Sequence, residues 1–311
     1  MPAHDNATQS PSSPPARKHA SASADRKAWM AATRPATLPA AIAPIVVGLA
    51  LATRHAELNL LVAAATVFCA LLIQIATNLA NDYFDFKKGA DTAQRLGPTR
   101  AVAAGLLSPD SVRNAAFAVL ALAAVIGAFL VWHGGLPILA IGVAALLCAP
   151  GYTAGPLPLA YIGAGDLFVF LFFGLAAVAG TVWLQLGFLT TGVWPAASAM
   201  GALATAILVV NNLRDRHGDA AAEKRTLAVR FGARAARIEY VLCFAIAFGA
   251  AAWLALQVAG GAALALLAGI PAAAECRRVF RNDGAALNAS LAGTAKIELL
   301  FAALLAAGLL L

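Results

Sequence analysis

Charge is what this sequence has least of. Asp, Glu, Lys and Arg make up 12% of its 311 residues, against 61% hydrophobic residues, whereas a soluble domain carries roughly 25% charged residues. Long stretches hold no charge at all, which excludes an ordinary water-soluble globule. Cysteine is scarce as well. Cys69, Cys148, Cys243 and Cys276 form no CxxC pair; three of them fall well inside apolar runs and Cys276 at the edge of one. Neither a disulfide framework nor a thiolate zinc site is expected. His4, His19, His55, His133 and His217 show no ligand spacing. No basic start followed by an apolar core marks a cleaved secretory leader. A net charge of +7 in a soluble chain would suggest nucleic acid. Here the basic residues lie between apolar runs, which points instead to membrane orientation and phosphate binding, with no nucleic-acid partner.

What is abundant is apolar length. Runs fall near 36–53, 58–81, 111–132, 136–154, 161–184, 190–211, 236–256, 259–276 and 286–311. A helix needs about 20 apolar residues to cross the hydrocarbon layer, and a barrel strand only about 10. In lipid, helices and closed barrels alone satisfy their backbone groups. The expected fold is an all-α integral membrane bundle of about nine transmembrane helices. Residues 1–30, rich in Ser, Pro and Ala, cannot bury enough apolar surface to order themselves and are expected to be a disordered tail. Residues 31–311 then form one transmembrane domain.

Orientation follows from the basic residues. The tail and its exit carry Arg17, Lys18, Arg26, Lys27 and Arg34. The second connection holds Lys87, Lys88, Arg95 and Arg100, the sixth holds Arg214, Arg216, Lys224, Arg225, Arg230, Arg234 and Arg237, and the eighth holds Arg277, Arg278 and Arg281. The odd connections hold only Arg54. Cytoplasmic loops carry the excess of Lys and Arg. The N-terminus and even connections are therefore placed in the cytoplasm, as in a plasma or inner membrane, and the C-terminus outside. The second and sixth connections are the long polar ones, and loops of that kind on a rigid scaffold commonly carry function.

Both follow a polar stripe. In the second span Asn78, Asn81, Asp82 and Asp85 share one helix face, and Asp91 follows in the loop. In the sixth, Asn211, Asp215 and Asp219 repeat at i, i+4 and i+8, beside Asn212. One Asp at a helix end is most simply an interfacial charge. Two such stripes at membrane depth, on one side, are costly unless they serve a site. Crowded carboxylates repel unless a cation lies between them, and Mg²⁺ is commonly shared between carboxylates and substrate phosphates. Flanking Lys87, Lys88, Arg95, Arg100, Arg214, Lys224 and Arg225 suit a diphosphate. Arg34 reads either as an interfacial anchor or as a site residue. Asp166 reads as a helix-start acid, and Tyr152 and Tyr161 as interfacial aromatics.

The run Asn78-Leu79-Ala80-Asn81-Asp82-Tyr83-Phe84-Asp85-Phe86-Lys87-Lys88-Gly89-Ala90-Asp91 resembles the first Asp-rich motif of the UbiA superfamily of intramembrane prenyltransferases. Asn212-Leu213-Arg214-Asp215, followed by Lys224-Arg225-Thr226-Leu227-Ala228-Val229-Arg230, resembles the second. Arg34-Pro35-Ala36-Thr37-Leu38-Pro39, Leu96-Gly97-Pro98-Thr99-Arg100 and Gly105-Leu106-Leu107-Ser108-Pro109 are similar to the branch that prenylates 1,4-dihydroxy-2-naphthoate for menaquinone. The resemblance covers the chain after the tail. It implies a helical bundle with cytoplasmic cap loops over a central cavity. It also implies Mg²⁺ held by Asp82, Asp85, Asp215 and Asp219, with Asn78, Asn81 and Asp91 assisting. The substrates it implies are a polyprenyl diphosphate and an aromatic acid, with Tyr152 near the reacting centre and Arg34 on the acceptor. Where the 4-hydroxybenzoate branch usually places a third Asp, this chain has Gly89. Transfer to another aromatic acceptor such as 4-hydroxybenzoate is one alternative. A cation- or proton-coupled transporter is another, although transport sites favour the bilayer midplane rather than one face.

Overall fold

Residues 22–90, 96–98, 100–156 and 158–311 are described by a computed structural model. Among these residues the chain is helical, with no strand. The predicted Asp91 and Arg95 lie outside the described residues. A short helix, α1 (Ala22–Thr33), begins inside the stretch assigned to the tail. It is held because Ala32 and Trp29 pack with Leu79 and Ala80 of α3. Arg34, with φ 50°, turns the chain into α2 (Leu38–Ala52).

The helices that follow are α3 (Leu60–Lys87), α4 (Pro109–Gly151), α5 (Gly165–Val169), α6 (Ala177–Leu186), α7 (Val193–Ala221), α8 (Leu227–Gln257), α9 (Gly269–Arg281) and α10 (Leu287–Leu310). A π-helical segment, Phe170–Ala176, joins α5 to α6, and a 3-10 segment, Gly260–Ala268, precedes α9. Polar caps start three of them. Asn59, Ser108 and Thr226 accept from the backbone amides of Val62, Ser111 and Val229, satisfying donors that a helix start leaves open. Ser108-Pro109-Asp110 begins α4 with a cap, a first-turn proline and a first-turn acid.

Seven helical stretches among the described residues are long and apolar enough to cross a membrane. The nine expected ranges fall largely on helical backbone, but that criterion does not reach nine. One reason is α4, whose 43 residues would run roughly 65 Å if straight, twice the ~30 Å hydrocarbon core. It is not straight. Gly135 has φ 70° and ψ −154°, and Arg113–Leu120 lie against the same cleft as Ala149 and Pro150, so the chain doubles back there. The other reason is the eighth range, which is split into the 3-10 segment and α9 with its basic end.

The interior is apolar where α7, α8, α10 and the 3-10 segment meet, around Met200, Leu203, Leu254, Phe301 and Leu305. Glycines allow close approach: a Cβ on Gly174 would meet the Ala197 carbonyl and Gly201, and one on Gly261 would meet Gly308. Phe117, Trp132, Leu256 and Ile270 are exposed on the outside, as suits a lipid-facing surface.

The two ends of the bundle are distinct. At one end the even connections interlock. Arg216 pairs with Asp283 at 2.7 Å, Asn288 donates to the Leu96 carbonyl at 2.9 Å, and Arg230 donates to the Ile162 carbonyl at 2.8 Å. At the other end the odd connections meet. Arg54 donates to the Leu309 and Val258 carbonyls at 2.8 and 3.2 Å, and Gln185 accepts from the Asn59 amide at 2.8 Å. The one basic residue of the odd connections therefore caps the carbonyl ends of α8 and α10, which a cation favours.

Candidate active site

The first acidic stripe is buried at the end of α3. Asp82 and Asp85 are 1% and 2% exposed, a position that carboxylates tolerate only when paired or hydrogen-bonded. The segment after the second connection supplies part of that pairing. Ala101 donates its amide to Asp82 Oδ2 at 3.1 Å, and Arg100 donates to Asp85 Oδ2 at 2.9 Å. The other oxygen of Asp85 takes the Tyr161 hydroxyl at 3.0 Å and lies 3.2 Å from Lys224 Nζ. Tyr161 comes from the fourth connection and Lys224 from the sixth. Asp85 thus gathers groups from three connections at one point.

The second stripe reaches the same place. Arg225 donates its amide to the Tyr161 carbonyl at 2.9 Å. Lys88 and Lys224 stand 4.0 and 4.9 Å from the Tyr161 ring centre. The Tyr152 hydroxyl lies against Gly165, the residue before Asp166. Burial first, and then the carboxylates of Asp166, Asp85 and Asp219, push the Tyr152 phenol above the ordinary range. Lys88 is pushed down by partial desolvation and by Lys224, against the opposing pull of Asp85. Beneath them Asn81 accepts from Thr153 at 3.0 Å, and Asn212 donates to Asp166 at 3.4 Å.

A family model described as the UbiA prenyltransferase family matches residues 41–310. The chain belongs to that family. It is 42% identical over 222 residues to the 1,4-dihydroxy-2-naphthoate octaprenyltransferase of Mycobacterium tuberculosis, covering 70% of this chain and 75% of that one. It is 30% identical over 285 residues to the Bacillus subtilis protein of the same name, covering 90% and 91%. Among solved structures, a UbiA homolog from Archaeoglobus fulgidus bound to DMAPP and Mg²⁺ superposes with a TM-score of 0.66 at 16% identity, over 91% of this chain and 98% of that one. A homolog from Aeropyrum pernix gives a TM-score of 0.68 at 15% identity, over 86% and 96%. The helical membrane fold expected from the sequence is the fold of this UbiA member.

The predicted site residues divide into groups. Asp82, Asp85, Asn81, Arg100 and Lys224 come together with Tyr152 and Asp219 around the fourth connection. Asp215 instead takes two bonds from Arg214, at 2.9 and 2.5 Å. Arg214, expected to bind phosphate, is 1% exposed and also donates to Asn211 and Asn288 at 2.8 and 2.9 Å. Gly97 abuts its guanidinium, so Arg214 fastens α7 to α10 under the second connection. Asn78 donates to the Thr33 carbonyl and the Thr37 hydroxyl at 3.0 and 2.9 Å and so ties the first turn of the domain to α3. Lys87 lies 6.0 Å from the Tyr83 ring, beside Arg113.

Sequence reasoning missed Tyr161, read as an interfacial aromatic but bonded to Asp85. It also missed Thr153 and Asn288. Nothing in the local sequence marks them, because their partners are 76, 72 and 74 positions away.

Among the described residues no three His, Cys, Asp or Glu side chains cluster tightly enough to hold a metal ion. The donor set nevertheless fits Mg²⁺ of one kind. The carboxylates of Asp82 and Asp85, interleaved with the cations of Arg100 and Lys224, suit an ion completed by substrate phosphates rather than a cage of protein ligands.

Proposed function

We propose that this chain transfers a polyprenyl group from a polyprenyl diphosphate to 1,4-dihydroxy-2-naphthoate, with loss of the ring carboxylate as CO₂, giving demethylmenaquinone in its reduced, quinol form. The observation that carries this reading is the Lys224–Asp85 contact at 3.2 Å, which joins the loop of the second acidic stripe to the heart of the first. The relatives named as 1,4-dihydroxy-2-naphthoate octaprenyltransferases support the acceptor. The Mg²⁺ and DMAPP in the superposed homolog support the donor class.

In this reading Asp82, Asp85, Asp215 and Asp219 would hold Mg²⁺, with Asn78, Asn81 and Asp91 assisting. Bound there, Mg²⁺ neutralises charge on the departing diphosphate. Arg100, Lys88 and Lys224 bind diphosphate oxygens directly, exchanging their contacts with Asp85 and Tyr161 for the substrate. Lys87, Arg214, Arg225, Asn211 and Asn212 shape the surrounding cap, and Arg95 assists in binding the diphosphate. The bond between the isoprenoid carbon and the diphosphate oxygen breaks, and its electron pair leaves with the diphosphate. Tyr152 faces the resulting allylic cation, and the buried setting keeps water from it. The electron-rich ring then forms the new carbon–carbon bond, while Arg34 orients the acceptor carboxylate. The active-site connections face the cytoplasm and the C-terminus lies outside.

The test is product mass spectrometry on purified protein in lipid discs, with Mg²⁺, prenyl diphosphates and a panel of aromatic acids. A prenylated, decarboxylated naphthoate is expected. In Asp82→Ala and Asp215→Ala, turnover should fall at least about a hundredfold, the scale lost when charge stabilisation at a reacting centre is removed. Near-normal turnover in either variant defeats the metal assignment. A product with 4-hydroxybenzoate alone defeats the acceptor assignment.

A further inference from the structure

One buried acid plays no part in the scheme above. Asp166, in the first turn of α5, is 6% exposed. Unlike Asp85 and Asp215 it has no cationic partner among the described residues. Among the described residues its one bond from another side chain is the long 3.4 Å contact from Asn212. A helix start favours an acid, but a carboxylate almost wholly withdrawn from water needs stronger donors than one distant amide.

Its neighbours show where a donor would come from. A Cβ on the adjoining Gly165 would lie 3.0 Å from the Tyr152 hydroxyl, so the missing side chain lets that phenol approach Asp166. Tyr152 also feels Asp85 and Asp219. Asp166 thus follows directly on the residue that Tyr152 abuts, the phenol set against the allylic cation in the scheme above, and lies on a different element from the diphosphate cations. At this end of the site Asp166 accepts hydrogen bonds, whereas the Arg100 and Lys224 end donates them.

We infer that Asp166 is a catalytic residue that binds the acceptor's ring hydroxyl and moves its proton, a role that rests on the prenyl-transfer reading. As the ring carbon bearing the carboxylate attacks the allylic cation, the neighbouring hydroxyl becomes a carbonyl and Asp166 takes its proton. The product of that step is a β-keto carboxylate. Its carbon–carboxylate bond breaks, CO₂ leaves, and the electron pair restores the aromatic ring. Asp166 then returns the proton to the oxygen, so no net proton is consumed.

The experiment compares wild-type protein with Asp166→Asn and Asp166→Glu in lipid discs, using naphthoate acceptors of graded hydroxyl acidity. Asn keeps the shape and an oxygen for Asn212. Removing proton transfer is expected to lower kcat at least about a hundredfold, with the KM for prenyl diphosphate unchanged. The defect should shrink as the acceptor hydroxyl becomes more acidic, and Asp166→Glu should recover part of the rate. Asp166→Asn turnover within twofold of wild type overturns the assignment. So does a defect equal across all acceptors, or one accompanied by lost prenyl-diphosphate binding, since each marks a structural role. Wild-type protein that prenylates no aromatic acceptor overturns the wider reading and this one with it.

Discussion

At the scale of single residues, the site rests on Asp85. Its two oxygens take Arg100, Tyr161 and Lys224 within 3.2 Å, and each of these comes from a connection rather than from the helix that carries the acid. The arrangement is stable without substrate because both Asp85 oxygens have donors, and it is exchangeable because the donors sit on loops. Removing one member of a buried charge pair leaves the other uncompensated, at a cost of about 3–5 kcal/mol. Arg100→Ala should show the low end of that cost, because Lys224 and Tyr161 remain. The measurement is the thermal midpoint of the detergent-solubilised protein, read apart from activity. An unchanged midpoint would mean that Lys224 alone carries Asp85.

At the scale of elements, glycine decides where helices break and where they touch. Gly135 has a φ of 70° and ψ of −154° at the reversal in α4, and nothing lies within 4 Å of the position a Cβ would take. Any penalty for adding one is therefore conformational rather than steric. Gly135→Ala is expected to cost about 1–3 kcal/mol, the strain of a side chain held in a glycine-only region, and to lower the thermal midpoint accordingly. Gly134, one residue earlier, is the contrasting case, since a Cβ there would strike Ile138 and Leu184.

For the whole molecule, the alternation of connections between two ends is the consequential feature. Each even connection for which a contact is described reaches the acidic end, and Arg54 with the C-terminal turn marks the other. Cysteine introduced at His217 should react with an impermeant thiol reagent only from the cytoplasmic side of sealed vesicles, and cysteine at His55 only from the opposite side, in a background with the native cysteines replaced. Both positions are exposed. Labelling of both from one side would refute the topology and remove the shared cap on which the site depends.

The sequence by itself determined the class of fold, because apolar length and the lack of charge leave helices in lipid as the workable answer. It also determined which residues could carry the chemistry, because Asn and Asp at helical spacing near membrane depth are expensive anywhere but a site. Only the tertiary structure decided which of them meet. Asp85 and Lys224 are 139 positions apart in numbering, and no local pattern pairs them. It also separated Arg214, which bonds protein groups throughout, from Arg100 and Lys224 at the acid cluster, although all three look alike in a list of basic loop residues. The helix count was blurred for a related reason: a hydropathy run does not say whether the backbone continues or reverses, and at Gly135 that depends on two dihedral angles which a glycine permits without announcing them.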